Sequence, residues 1–221
     1  MKKNKTLFDI FLAKRNICKE FIVFVILISF TTVCYGRYNA LSEQNELNRS
    51  RTEALNEPAI AERIKELLHT EGMEKKYHEE VVTSLIQNSL DHDIPIPVLL
   101  SVMRYESYFK VKVESNRGAI GLMQIHPITL DYFNRKTNLN IPEKSMYDPA
   151  SNIKVATFFL RDLKNRYEAK QYEEEKVWDY VFGAYFKGVG SVRNGLRPSH
   201  KKYADLVKKK AVEYEKHIYD Q

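Results

Sequence analysis

From Ala59 onward, apolar side chains return at three- and four-residue steps, the period of a helix that buries one face. This pattern constrains the fold more than any other feature of the chain. Ile60, Ile64, Leu67 and Leu68 form one stripe, which ends at Gly72, and Tyr77, Val81, Leu85 and Leu90 form a second. After Asp91-His92-Asp93 the run Ile94-Pro-Ile-Pro97 starts a third helix, with proline in the first turn, where its missing N–H costs nothing. Further helices are expected over 152–167, 177–186 and 203–217, whereas strand signals are confined to short pieces such as 111–114. The expected class is mainly α in a single domain, and 221 residues suffice for one with a substantial core.

Ahead of that pattern lie two segments of different character. Residues 1–20 are basic, and Phe21 to Phe30 form an apolar run that continues to Gly36 without a charge. Such a sequence directs export, either as a cleaved signal peptide or as an uncleaved membrane anchor. The positive-inside rule then puts residues 1–20 in the cytoplasm and everything after Arg37 outside it. Residues 37–58 are polar and rich in Asn and Glu, and read as a linker or loosely helical spacer. The expected division is 1–36 targeting segment, 37–58 linker, 59–92 helical extension and 93–221 main domain with a C-terminal helix.

Charge and cysteine usage exclude several function classes. Six of the 35 Lys/Arg and two of the 29 Asp/Glu fall within residues 1–36, leaving 29 basic and 27 acidic residues, a net of only +2. That is too little to imply a nucleic-acid partner. The C-terminal lysines Lys201, Lys202, Lys208, Lys209 and Lys210 interleave with Tyr203, Leu206, Val207 and Val212, as on a solvated helix face. Both cysteines, Cys18 and Cys34, lie in the targeting segment, so the exported part has no disulfide or cysteine-ligated metal to rely on. The six histidines form no His-x-x-x-His group, the carboxylates form no calcium loop, and no glycine-rich phosphate loop appears. No metal or cofactor is called for.

The third helix carries the candidate chemistry. Leu99, Val102 and Met103 share a face, and Glu106 follows seven residues after Leu99 on the same stripe. A carboxyl among apolar side chains holds its proton to higher pH, as a general acid acting on a glycosidic oxygen must. The spacing alone is equally compatible with a carboxylate turned to solvent, or with a buried acid paired to Arg104 or Arg117.

The context of Glu106 is more specific. Glu106-Ser107 is followed by Ser115 and then by Gly118-Ala-Ile-Gly-Leu-Met-Gln-Ile125. Over residues 90–208 the chain resembles the soluble lytic transglycosylases, whose domain is lysozyme-like and related to goose-type lysozyme. Tyr147-Asp148-Pro149 with Asn152-Ile153, and Ala184-Tyr185 with Gly188, extend the resemblance in the right order. The resemblance implies that Glu106 is the catalytic residue and that Tyr185 orients it or contacts substrate. It also implies that Ser115, Met123 and Gln124 line the substrate cleft, Ser115 being open to a second reading as a turn hydroxyl that bonds its own backbone.

The implied reaction is cleavage of the MurNAc–GlcNAc β-1,4 bond of peptidoglycan, leaving 1,6-anhydro ends, with one acid and no water consumed. In that reaction Glu114, Asp131 and Asp148 have no part, and the last two are expected to cap helices or form turns. Implied partners are the glycan strands and an envelope or secretion apparatus. Two departures stand out. Phe186 and Lys187 occupy positions where the family has Asn and Ala, and residues 110–114 replace a turn with proline. The first opens the alternative of a non-catalytic glycan-binding scaffold, and a lysozyme-type hydrolase of the same bond, with water as nucleophile, is the other alternative.

Overall fold

The computed structural model describes residues 37, 39–50, 52–55 and 57–220. The apolar run and both cysteines lie outside the described residues. The described chain falls into two units divided after Glu53. In the first, residues 39–50 are helical and almost wholly solvated, with Arg49 and Glu53 paired at 2.9 Å one turn apart. No helix among the described residues is long and apolar enough to cross a membrane.

In the second unit, Ala54–Gln221, seven helices are described from Pro58 onward. These are α1 (Pro58–Thr70), α2 (His78–His92), α3 (Ile96–Ser107), α4 (Pro127–Thr137), α5 (Pro149–Glu168), α6 (Glu174–Lys187) and α7 (Pro198–Tyr219). Short 3-10 turns lie at Lys75–Tyr77, Glu143–Tyr147 and Val189–Val192. Helix α1 buries the four residues of the first stripe, Ile60, Ile64, Leu67 and Leu68. It stops because Gly72, at φ +84°, turns the chain left-handed, so that Gly72 and Met73 donate to the carbonyls of His69 and Leu68. That motif satisfies the orphan carbonyls and tucks Met73 into the core.

Helix α3 buries Leu99, Leu100, Val102 and Met103, a girth too wide for a surface helix, and accordingly it runs through the middle of the unit against α7. Helices α5, α6 and α7 pack in sequence, and α2 lies on α5, so one core runs from α1 to α7. Two consecutive non-glycine residues at left-handed φ, Tyr108 (52°) and Phe109 (60°), end α3. Burial of the Phe109 ring offsets the cost of that conformation, roughly 1–2 kcal/mol per residue.

Between α3 and α4 the expected strand at 111–114 does not form. There are only two isolated antiparallel bridges, Glu114 with Ile120 and Ile120 with Ile125. Gly118 (φ +75°) and Gly121 (φ +79°) fold the chain back on itself before a ladder can extend. Helix α4 is absent from the sequence reading, since it buries only Leu130 and Phe133 and so shows no sustained stripe.

Candidate active site

Glu106 occupies the last turn of α3, where the apolar stripe reaches a cleft of about 510 Å³. It is the one carboxylate among the described residues lining that cleft. Arg104 on the same helix turns the other way and pairs with Glu71 at 3.0 Å. Arg117 lines the cleft, but no ion pair joins it to Glu106 among the described residues. Glu106 instead accepts a hydrogen bond at 2.5 Å from the hydroxyl of Tyr203 on α7. Burial penalises the charged form and dominates over that bond, which favours it, so the carboxyl is pushed up to about 7 from an ordinary 4.5. A group that titrates near neutrality can give up a proton and take it back.

Two tyrosines flank this carboxyl. The hydroxyl of Tyr185, on α6, donates at 2.7 Å to the carbonyl of Met123, while its ring lies against Phe159 of α5. Burial, and then the charge of Glu106, raise both Tyr185 and Tyr203 well above the usual tyrosine range. Both hydroxyls therefore keep their protons, as donors, at neutral pH.

The opposite wall is the 115–125 loop, and its shape follows from its sequence. A Cβ on Gly121 would come within 2.1 Å of the Met146 carbonyl and 2.5 Å of Asn152 Nδ2, so only glycine fits. The Asn152 side chain is fully buried and satisfies three backbone groups there. Its Oδ1 accepts from Met123 N at 2.7 Å, and its Nδ2 donates to Ile120 O and Met146 O, both at 2.9 Å. Replacing these three bonds with water is not possible in a dry interior, so Asn152 fixes where the loop faces α3.

Of the sequence-derived site residues, Glu106, Ser115, Gln124 and Tyr185 converge on the cleft. Ser115 has two sets of neighbours. It lines the cleft, and its Oγ accepts from the amides of Ala119 (3.0 Å) and Arg117 (3.3 Å), closing the loop's tip. Gln124 sits at φ 51° with Nε2 bonded to Gly121 O at 3.0 Å, a local bond that stabilises this unusual backbone. Met123 differs from expectation. Its side chain is 0% exposed and packs in the core, while its N–H and carbonyl serve the site through Asn152 and Tyr185.

His126, on the cleft's edge, bonds Arg117 O at 2.9 Å and caps α4. Two of the other acids have structural partners, and the third, Asp131, lies within α4 and not at the helix cap or turn expected for it. Asp148 caps α5 by accepting from Ser151 N, and Glu114 accepts from the Tyr147 hydroxyl at 2.6 Å. Asp131 is exposed on α4. Among the described residues no three His, Cys, Asp or Glu side chains group as metal ligands would. Tyr203, the residue that touches Glu106, carries no motif in the sequence. Its only signal is its place in the periodic stripe of α7.

Comparison with known proteins agrees with this geometry. Curated relatives include the membrane-bound lytic murein transglycosylase C of Photorhabdus laumondii, 30% identical over 142 residues. That match covers 63% of this chain and 40% of the relative. The protein of the same name from Mannheimia succiniciproducens is 35% identical over 109 residues, 48% of this chain and 30% of the relative. The chain thus spans well under half the length of these relatives.

Among solved structures, the 70 kDa soluble lytic transglycosylase of Escherichia coli superposes with a TM-score of 0.54 at 22% identity, over 62% of this chain and 24% of that one. The lytic transglycosylase Slt of Pseudomonas aeruginosa, solved as an inactive mutant, gives 0.53 at 18% identity, over 61% of this chain and 24% of that one. Both share the mainly α, lysozyme-like fold. The family model described as the transglycosylase SLT domain matches residues 84–207, more than half of the sequence and the whole of the cleft, and the chain therefore belongs to the transglycosylase SLT family.

Proposed function

We propose that this protein is a peptidoglycan lytic transglycosylase in which Glu106 is the single acid and base. The observation that carries the reading is one carboxylate in the cleft, held by Tyr203 and titrating near 7, with no second acid among the described residues that line it. A retaining glycosidase with a carboxylate nucleophile needs a partner acid at about 5–5.5 Å, and an inverting one at about 6.5–9.5 Å. An intramolecular nucleophile removes that need.

In the proposed reaction the Glu106 proton passes to the glycosidic oxygen as its bond to the MurNAc anomeric carbon breaks. The anionic Glu106 then takes the proton of the MurNAc C6 hydroxyl, whose oxygen bonds to the same carbon and closes the 1,6-anhydro ring. Glu106 finishes as it began, protonated, and no water enters. Ser115 and Gln124 contact the strand, while Tyr185 fixes the facing loop through the Met123 carbonyl.

Residues 93–221 carry the chemistry in this reading, and 59–92 form a helical extension packed on them. Residues 1–36 direct export and 37–58 act as a spacer, so the enzyme works in the cell envelope, on glycan strands and beside an envelope apparatus. The name of its relatives, membrane-bound, supports that placement. The test is mass spectrometry of muropeptides released from purified sacculi by residues 37–221, beside Glu106→Gln. Anhydro ends, one water lighter than reducing ends and lost in the variant, support the proposal. Reducing ends would make the protein a lysozyme-type hydrolase, and binding without release by either protein would make it a glycan-binding scaffold.

A further inference from the structure

Phe186, in the last turn of α6, lines the cleft yet makes its closest aromatic contact behind the carboxyl. Its ring lies flat on that of Tyr203, with centroids 4.6 Å apart and planes within 3°. Tyr105 of α3 meets the Tyr203 ring edge-on at 6.4 Å and 66°. The tyrosine that donates to Glu106 is thus held by one aromatic from α6 and one from α3.

We propose that Phe186 is a positioning residue: by stacking on Tyr203 it holds the hydroxyl that fixes the Glu106 carboxyl in the cleft. The inference rests on the reading of Glu106 as the acid and base.

The lever is long. A tyrosine hydroxyl lies roughly 6.5 Å from its Cα, so a rocking of about 10° displaces it by about 1 Å, enough to break a short hydrogen bond and to cost on the order of a hundredfold in rate. Phe186 is 41% exposed whereas Tyr203 is 7% exposed, so in the stacked pair Phe186 is the ring that meets solvent and Tyr203 the one that is covered. Its own position is restrained from the solvent side. Lys187 Nζ lies 5.0 Å from the Phe186 centroid and donates to Ser199 Oγ at 3.3 Å at the start of α7. An ammonium near the ring competes with a sugar for its remaining surface, which favours a supporting role over that of a glycan platform.

The test uses residues 37–221 and soluble, uncross-linked glycan strands, with kcat and KM measured separately. Phe186→Ala is expected to lower kcat by tenfold to a hundredfold with KM within about twofold. Phe186→Tyr, which keeps a flat ring, should retain most of the rate, and Phe186→Leu, which keeps bulk without a plane, should not. In a Tyr203→Phe background, Phe186→Ala should bring no further loss, because the hydroxyl it supports is already gone.

A loss confined to KM would overturn the proposal in favour of a sugar platform, and so would full additivity with Tyr203→Phe. The Tyr203 hydroxyl proton supplies a readout independent of turnover. It should be visible by NMR in the wild type and in Phe186→Tyr, and be lost to exchange in Phe186→Ala that still unfolds cooperatively. Its persistence in Phe186→Ala would refute the inference. An inactive wild type, or an active Glu106→Gln, would instead refute the assignment of Glu106 and leave the proton signal to decide the role of Phe186.

Discussion

The cost of burying Glu106 can be measured without any substrate. In the folded protein its carboxyl is pushed up to about 7 from 4.5. A carboxyl raised on folding contributes stability that is fully present below its unfolded value and is lost as pH rises through the folded one. Each unit is about 1.4 kcal/mol, so moving from pH 4 to pH 8 removes about 3 kcal/mol from the wild type. Glu106→Gln keeps the shape of the protonated acid and does not titrate, so it escapes this loss. Urea unfolding of both proteins across that pH range isolates the effect, because every other titration cancels in the difference.

The variant should match the wild type near pH 4, within what the amide itself costs, and exceed it progressively toward pH 8. In heat, that difference corresponds to roughly 6–12 °C in Tm for a domain of this size. A difference that stays constant with pH would mean that Glu106 is ordinarily solvated and not poised as an acid. A difference of the opposite sign would mean that its anion is stabilised in the fold.

Four further outcomes follow from the same geometry. Because Glu106 must carry its proton to act, kcat/KM should fall as pH rises above about 7. The Tyr203 bond favours the anion, so Tyr203→Phe should move that limb to higher pH while lowering kcat; a limb that stays put would separate the two groups. Gly118→Ala and Gly121→Ala place the same residue at nearly the same φ. The first meets nothing within 4 Å and should cost about 1–2 kcal/mol of strain, whereas the second collides with fixed backbone and should cost several kcal/mol or prevent folding, as thermal unfolding would reveal. Asn152→Leu strands the Met123 amide, takes the side-chain partner from the Met146 carbonyl and leaves Ile120 O only its bond from Ile125 N, so it should destabilise by about 3 kcal/mol or more, and a urea midpoint shifted by less than about 1 kcal/mol would deny Asn152 its role.

What was legible in the sequence is what local spacing encodes. The stripe of α1 and the apolar face of α3 that ends at Glu106 are periodic, and they reappear residue for residue as buried surfaces. Gly121 and Gln124 belong to a motif whose spacing is fixed by one tight loop. Tyr203 was not legible, because it lies 97 positions from Glu106 and looks like any apolar residue of a lysine-rich helix. Only the packing of α7 on α3 brings the two together. Met123 misled for a related reason: a positive-φ glycine precedes it by two positions, and no periodicity then tells which way its side chain points. Phe186 was visible as a departure, but the ring beneath it was not, since stacking is a property of two helices and not of one segment.

The measurement that bears most directly on the central claim is digestion of purified sacculi in heavy-oxygen water by residues 37–221, with Glu106→Gln alongside. If the C6 hydroxyl is the nucleophile, the released muropeptides carry anhydro ends and no heavy oxygen, and the variant releases none. Reducing ends labelled with heavy oxygen would show that water attacks the anomeric carbon, and undiminished release by Glu106→Gln would show that the acid lies elsewhere.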